Sequence, residues 1–180
     1  MWSTLLRNWA PGVYAALMRS YEPADAETVL SINAENVPAV GPMDADKLAY
    51  FVENASFFVV VEDDDDTPVA FLVGLDETTV GYESPNYAYF AGRHDEFGYV
   101  DRVAVTSSSQ GQGLGPAMYS AFEAWAYGHG KRVLAAEVNT IPDNPHSHHF
   151  HQKSGFTEVG RGNPYGPDEE VAYYEKQIDD

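Results

Sequence analysis

The chain is predicted to fold as one α/β domain, and three observations carry that reading. Strand-like and helix-like runs alternate along its 180 residues. A glycine-rich turn joins an apolar strand-like run to an amphipathic helix-like run, and a second apolar run follows at the spacing of a parallel strand–helix–strand unit. With 44% hydrophobic and 13% aromatic residues, the sequence holds enough apolar material for a sizeable core.

Taken in order, residues 1–12 read as an N-terminal extension and residues 13–180 as the domain. The extension carries a short apolar patch interrupted by Arg7, too short for a signal peptide or a membrane span. Residues 13–20 read as the first strand, and Pro23 opens a helix that runs to about Glu35. Asp44 or Asp46 can cap a second helix with Leu48, Phe51 and Val52 on its apolar face. Residues 56–61 and 68–73 form a hairpin around the acidic run 62–66, whose spacing lacks the ligand order and glycine of a calcium loop. Residues 76–97 show no clear period, which predicts a long aromatic loop suited to a pocket wall. Residues 99–105 are a strand, residues 116–127 a helix with Leu114, Met118, Ala121, Phe122 and Trp125 at core spacing, and residues 132–138 the parallel strand after it.

Charge and cysteine content exclude several classes of function. A formal net charge of −18 argues against nucleic acid and anionic membrane as partners, because both need a basic face. Such a surface also suits work at high salt. There is no cysteine, so disulfides, thiolate metal sites and a cysteine nucleophile are ruled out, and a reducing, cytoplasmic location is allowed. Lys131, Arg132, Lys153 and Arg161 are the cations available to hold phosphates.

The turn itself runs Gln110, Gly111, Gln112, Gly113, Leu114, Gly115. Glycines let backbone N–H groups approach an anion closely, and the next helix adds the positive end of its dipole, so the turn predicts a pyrophosphate cradle. The P-loop pattern fails for want of its Lys and Ser/Thr. The dinucleotide fingerprint fails at Pro116, where Gly or Ala belongs, although Glu137 imitates that motif's ribose-binding acid.

Val105-x-x-x-x-Gln110-x-x-Gly113-x-Gly115, paired with Asn144-x-x-Ser147-x-x-Phe150-His151-x-x-x-Gly155-Phe156, resembles the GNAT superfamily of acyl-CoA-dependent N-acyltransferases. The first half is similar to the family's coenzyme A signature and the second to its following helix. The resemblance implies a mixed, mostly antiparallel central sheet with helices on both faces and a V-shaped cofactor cleft between two adjacent parallel strands. It implies acetyl-CoA as cofactor, held by Val103, Ala104, Val105, Gln110, Gly111, Gln112, Gly113, Leu114 and Gly115, with Asn144, Ser147, Phe150 and Lys153 on the other side. His151 stands where the family's tyrosine usually acts as general acid, so its role is inferred from position.

The resemblance implies a general base at or near Asp101, which shares a strand face with Val103 by alternation. Tyr99, on the same face, and His94 remain alternatives, and so does a structural pairing of Asp101 with Arg102. Tyr82, Tyr89, His94 and Tyr99 are the expected acceptor-binding residues. No metal is expected, because His146, His148, His149 and His151 offer only i, i+3 pairs, and the first three read as exposed helix residues. The expected activity is direct transfer from acetyl-CoA to a primary amine of a cationic small molecule or peptide, with a non-catalytic acyl-CoA sensor and a nucleotide-binding oxidoreductase as alternatives. A homodimer is allowed.

Overall fold

A computed structural model describes residues 17–178 of the chain. The expected extension and the first residues of the expected first strand lie outside the described residues. The strands are β1 (Met18–Ser20), β2 (Phe57–Glu62), β3 (Pro68–Asp76), β4 (Phe97–Val105), β5 (Val133–Ile141), β6 (Thr157–Gly162) and β7 (Glu170–Gln177). The helices are α1 (Ala26–Glu35), α2 (Ala45–Asn54), α3 (Pro85–Ala91), α4 (Leu114–Gly128) and α5 (Pro145–Lys153). The seven strands follow the order β1-β2-β3-β4-β5-β7-β6. β4 and β5 pair in parallel from Phe97 opposite Val133 to Tyr99 opposite Ala135. The β1–β2, β2–β3, β5–β7 and β6–β7 pairs are antiparallel, which gives the mixed, mostly antiparallel sheet expected.

The chain divides into two compact units, one running to Leu75 and including Asp101–Trp125, the other formed by Asp76–Val100 and the segment from Ala126 onward. In the first unit, Asp44 caps α2 by accepting the Lys47 N–H at 2.9 Å. Leu48 and Phe51 are buried as expected, whereas Val52 is 47% exposed, because a ten-residue helix with one covered stripe leaves its neighbour in solvent. The β2–β3 hairpin closes on Asp63, whose carboxylate accepts the N–H groups of Asp65 and Thr67, both at 3.0 Å. The acidic tip is therefore a self-capped turn. Gly74 on β3 has a shape reason for being glycine: an added Cβ would lie 2.5 Å from the Phe122 ring of α4. Phe122 is fully buried, stacks on Trp125 at 5.6 Å and meets Phe57 at 5.2 Å.

In the second unit, the stretch expected as a loop contains α3. Ser84 caps it by accepting the Tyr87 N–H at 3.3 Å, and Pro85 occupies the first turn, where its missing N–H costs nothing. The aromatic run from Tyr87 to Phe90 hid this helix, since rings lie on several of its sides and no polar stripe marks a period. Phe90, Phe97, Tyr99, Leu134, Ala135 and Ala172 are fully buried here. Lys131 is buried with its ammonium 3.0 Å from Asp76 and also bonded to Glu77, which removes it from the phosphate-binding candidates. Arg161 is likewise engaged by Glu158 at 2.7 Å.

Candidate active site

In the first unit, β4 ends at Val105, a short 3₁₀ turn covers Ser107–Ser109, and the glycine-rich turn leads straight into α4. Gly111 and Gly113 have φ of +78° and +84°, a conformation that other residues adopt only at a cost. Beyond the adjoining residues, no atom lies within 4 Å of a Cβ built on either one, so the backbone there faces open space. A backbone bared in this way at the start of a fifteen-residue helix can bind a phosphate group. The expected cofactor residues just before it are partly spent: the Val105 carbonyl accepts the side-chain amides of Asn36 at 3.1 Å and Gln110 at 3.4 Å. The Gln112 amide donates to the Ser108 carbonyl at 3.4 Å. Ala104 is buried and Val103 half-buried.

Asp101 belongs to a buried polar cluster in the same unit. Its carboxylate accepts Arg102 Nε at 2.8 Å, with the two side chains 4% and 3% exposed. Arg102 also donates to Asn33 Oδ1 at 2.9 Å and to the Gly41 carbonyl at 3.0 Å, and its guanidinium lies 5.0 Å over the Phe51 ring. Each partner neutralises the other's burial cost, which is the structural role held open from the sequence.

In the second unit, β5 passes through Pro142 into α5. Asn144 caps α5 by accepting the Ser147 N–H at 3.2 Å, with Pro145 in the first turn. Phe150 is half-buried, whereas Lys153 is exposed at the helix end. His151 is 3% exposed, and its ring stacks on Tyr174 at 5.5 Å and meets Phe156 edge-on at 5.2 Å. Burial pushes its pKa down to about 4, against the opposing pull of the Ser147 carbonyl. At neutral pH the ring is uncharged. Because a carbonyl only accepts, the 2.8 Å contact to Ser147 puts the proton on Nδ1.

His148 differs from the sequence expectation. It is not an exposed helix residue: its Nδ1 lies 2.9 Å from the Tyr174 hydroxyl and its Nε2 lies 3.1 Å from the Asn139 carbonyl. The carbonyl accepts a proton from Nε2, and in the neutral ring Tyr174 then donates its hydroxyl proton to Nδ1. His146 and His149 are exposed, as expected.

Of the four expected acceptor-binding residues, Tyr82, Tyr89 and Tyr99 belong to one network of ring contacts through Tyr87 and Phe90, and His94 is engaged by a carboxylate. Tyr82 packs edge-on against Tyr87 at 5.7 Å, and Tyr87 meets Tyr99 at 5.6 Å. Tyr89 stacks flat on Tyr173 at 3.8 Å, with the Arg93 guanidinium 5.2 Å from its ring. His94 bonds Glu175 at 2.8 Å, and Arg93 reaches the same carboxylate at 3.0 Å. Arg93 and His94, with Arg132, border a cavity of about 390 Å³ ahead of the first residues of β4 and β5. Tyr99 is fully buried and donates its hydroxyl to Glu137 Oε2 at 2.8 Å.

That last contact brings in a candidate residue, Glu137, which in the sequence imitates a ribose-binding acid. Glu137 is half-buried on β5, its Oε1 accepts Asn86 Nδ2 at 3.0 Å, and its Oε2 accepts Tyr99. The signal was a single acid inside the apolar run Leu134-Ala135-Ala136-Glu137-Val138, which needs partners wherever the strand is covered. Asn86 gave no signal, because it falls in the stretch expected as a loop. Among the described residues no group of His, Asp and Glu has the arrangement of a metal site, and no helix is long and apolar enough to cross a membrane.

Comparison with known proteins now places the chain. No curated protein matches it. Solved structures do: Ard1 from Thermoplasma volcanium is 18% identical, with a TM-score of 0.74 over 91% of this chain and 97% of that one. The ribosomal-protein-S18-alanine N-acetyltransferase from Escherichia coli is 18% identical, with a TM-score of 0.69 over 89% and 92% of the two chains. A structure of yncA, a putative acetyltransferase from Salmonella typhimurium, with its cofactor acetyl-CoA is 20% identical, with a TM-score of 0.65 over 91% and 94%. At such identities the likeness establishes the shared fold. The family model "Acetyltransferase (GNAT) family" matches residues 14–156, and the chain therefore belongs to the GNAT acetyltransferases.

Proposed function

We propose that the chain transfers the acetyl group of acetyl-CoA directly to a primary amine on a cationic small molecule or peptide. The observation that carries this reading is the bared backbone at Gly111 and Gly113 leading into α4, in a chain of this family. When bound, acetyl-CoA supplies an acetyl group activated as a thioester. Residues 110–115 would hold its pyrophosphate, and Asn144, Ser147, Phe150 and Lys153 are the further contributors that the family resemblance implies. The chain has no cysteine to form an acyl-cysteine intermediate, which favours direct transfer.

An acceptor amine has to lose a proton before its lone pair can attack a carbonyl carbon. Glu137 serves this need better than Asp101. Asp101 is locked to a buried guanidinium, so accepting a proton there strands a charge. Glu137 is held by an amide and a phenol and is half-open to solvent. His151 is neutral with its proton turned to Ser147, so it fits an orienting role for α5 better than that of a proton donor at neutral pH. The same state of His151 favours a second reading, an acyl-CoA sensor without turnover.

Thermal-shift titration with acetyl-CoA, CoA, NAD and ATP, followed by an amine panel with a free-thiol readout, separates these readings. Stabilisation by both CoA species and thiol release with a cationic amine is the expected result. Stabilisation without release with any amine selects the sensor. Absence of any CoA shift sinks both.

A further inference from the structure

We propose that Asn86 is a positioning residue that holds the Glu137 carboxylate oriented and ready to accept the proton of the acceptor amine. Asn86 sits in the first turn of α3, 4% exposed, and donates Nδ2 to Glu137 Oε1 at 3.0 Å. Its other end is the unusual part. Oδ1 is buried and, among the described residues, has no hydrogen-bond partner. An orphaned acceptor sealed from water is a cost that folds avoid, and alanine or leucine at this place would remove it. What the amide provides in return is its N–H on Glu137.

The rest of the setting agrees. From β4, Tyr99 donates to the second carboxylate oxygen at 2.8 Å, so both oxygens of Glu137 rest on neutral donors. On β7, Tyr173 is the residue directly opposite Glu137 in the strand register. Burial first, and the charge on Glu137 second, hold the Tyr173 proton more tightly than usual. Neutral donors bond the carboxylate without cancelling its charge, so it is still able to take a proton. A cation in their place would hold it shut, as Arg102 does to Asp101.

This rests on the reading of Glu137 as proton acceptor, so the test needs a readout besides activity. The side-chain carboxyl of Glu137 is titrated by carbon NMR in the full chain, its signal assigned by loss in Glu137→Gln. The expected result is a rise in its midpoint of about one pH unit in Asn86→Ala and more in Asn86→Asp, where a second acid replaces the donor. The acid limb of kcat/KM should move up with it, and the effect of Tyr99→Phe should have the same sign. An unchanged midpoint in Asn86→Ala overturns the proposal, as does a moved midpoint with an unmoved acid limb. If the unaltered chain turns over no amine, the acetyl-transfer reading falls by itself, and the NMR midpoint still decides whether Asn86 holds Glu137 ionised.

Discussion

Asp101 on β4 and Glu137 on β5 are two carboxylates under cover, and they are held in opposite ways. Asp101 faces a guanidinium that is itself clamped by Asn33, Gly41 and the Phe51 ring. Glu137 faces an amide and a phenol. A buried acid paired with a buried cation is part of the scaffold, since protonating it leaves the cation unpaired. A buried acid resting on neutral donors can gain and lose a proton while its surroundings keep their bonds. In the proposed function the partner, together with the greater exposure of Glu137, separates scaffold from chemistry.

The largest effects should come from breaking each acid. Glu137→Gln keeps the shape and both contacts possible, and should lower kcat/KM on an amine acceptor by a factor of about 100 or more, with little change in melting temperature. Asp101→Asn should do the reverse, costing about 3 kcal/mol of stability in urea unfolding while the pH profile of the surviving enzyme keeps its shape. If Asp101→Asn instead removes the acid limb and Glu137→Gln does not, the comparison is inverted and the strand-face assignment of Asp101 was right.

His151 gives the next effect, in a window fixed by its own shift. Its folded pKa of about 4 lies below the usual value of 6.5, so the unfolded chain binds its proton first. Its contribution is full above about pH 6.5 and is lost as pH falls toward 4, by up to about 3 kcal/mol. His151→Phe should flatten the difference in unfolding free energy between pH 7 and pH 5. A His151 variant with the slope of the unaltered chain would assign that slope to other groups. The smallest effect belongs to the cradle: Gly113→Ala should cost about 1 kcal/mol of backbone strain and weaken CoA affinity in the same titration.

Much of the fold was legible because its signals are local. The Asp44 cap, the β2–β3 hairpin and the glycine turn before α4 each follow from a few neighbouring residues. α3 was missed although Ser84 and Pro85 spell a helix start, because an aromatic run masks helical period. The site was less legible for a different reason. Strand alternation puts Asp101 on a face with Val103, but no local rule shows that Arg102 will turn back onto it or that Asn33, 69 residues away, will help to hold the pair. Asn86 and Glu137 are separated by 51 residues, and only the folded second unit makes them partners.

Gly74 and Phe122 carry a consequence for how this chain can change over time. The ring occupies the volume where a side chain on residue 74 would begin, so the two positions share a single allotment of space. Enlarging residue 74 alone collides with the phenyl group, and shrinking residue 122 alone leaves a void. Made together, the two changes should cost less than the sum of each alone, so drift at either place is tied to drift at the other. A larger residue at 74 is expected to be accommodated best when residue 122 is smaller than phenylalanine.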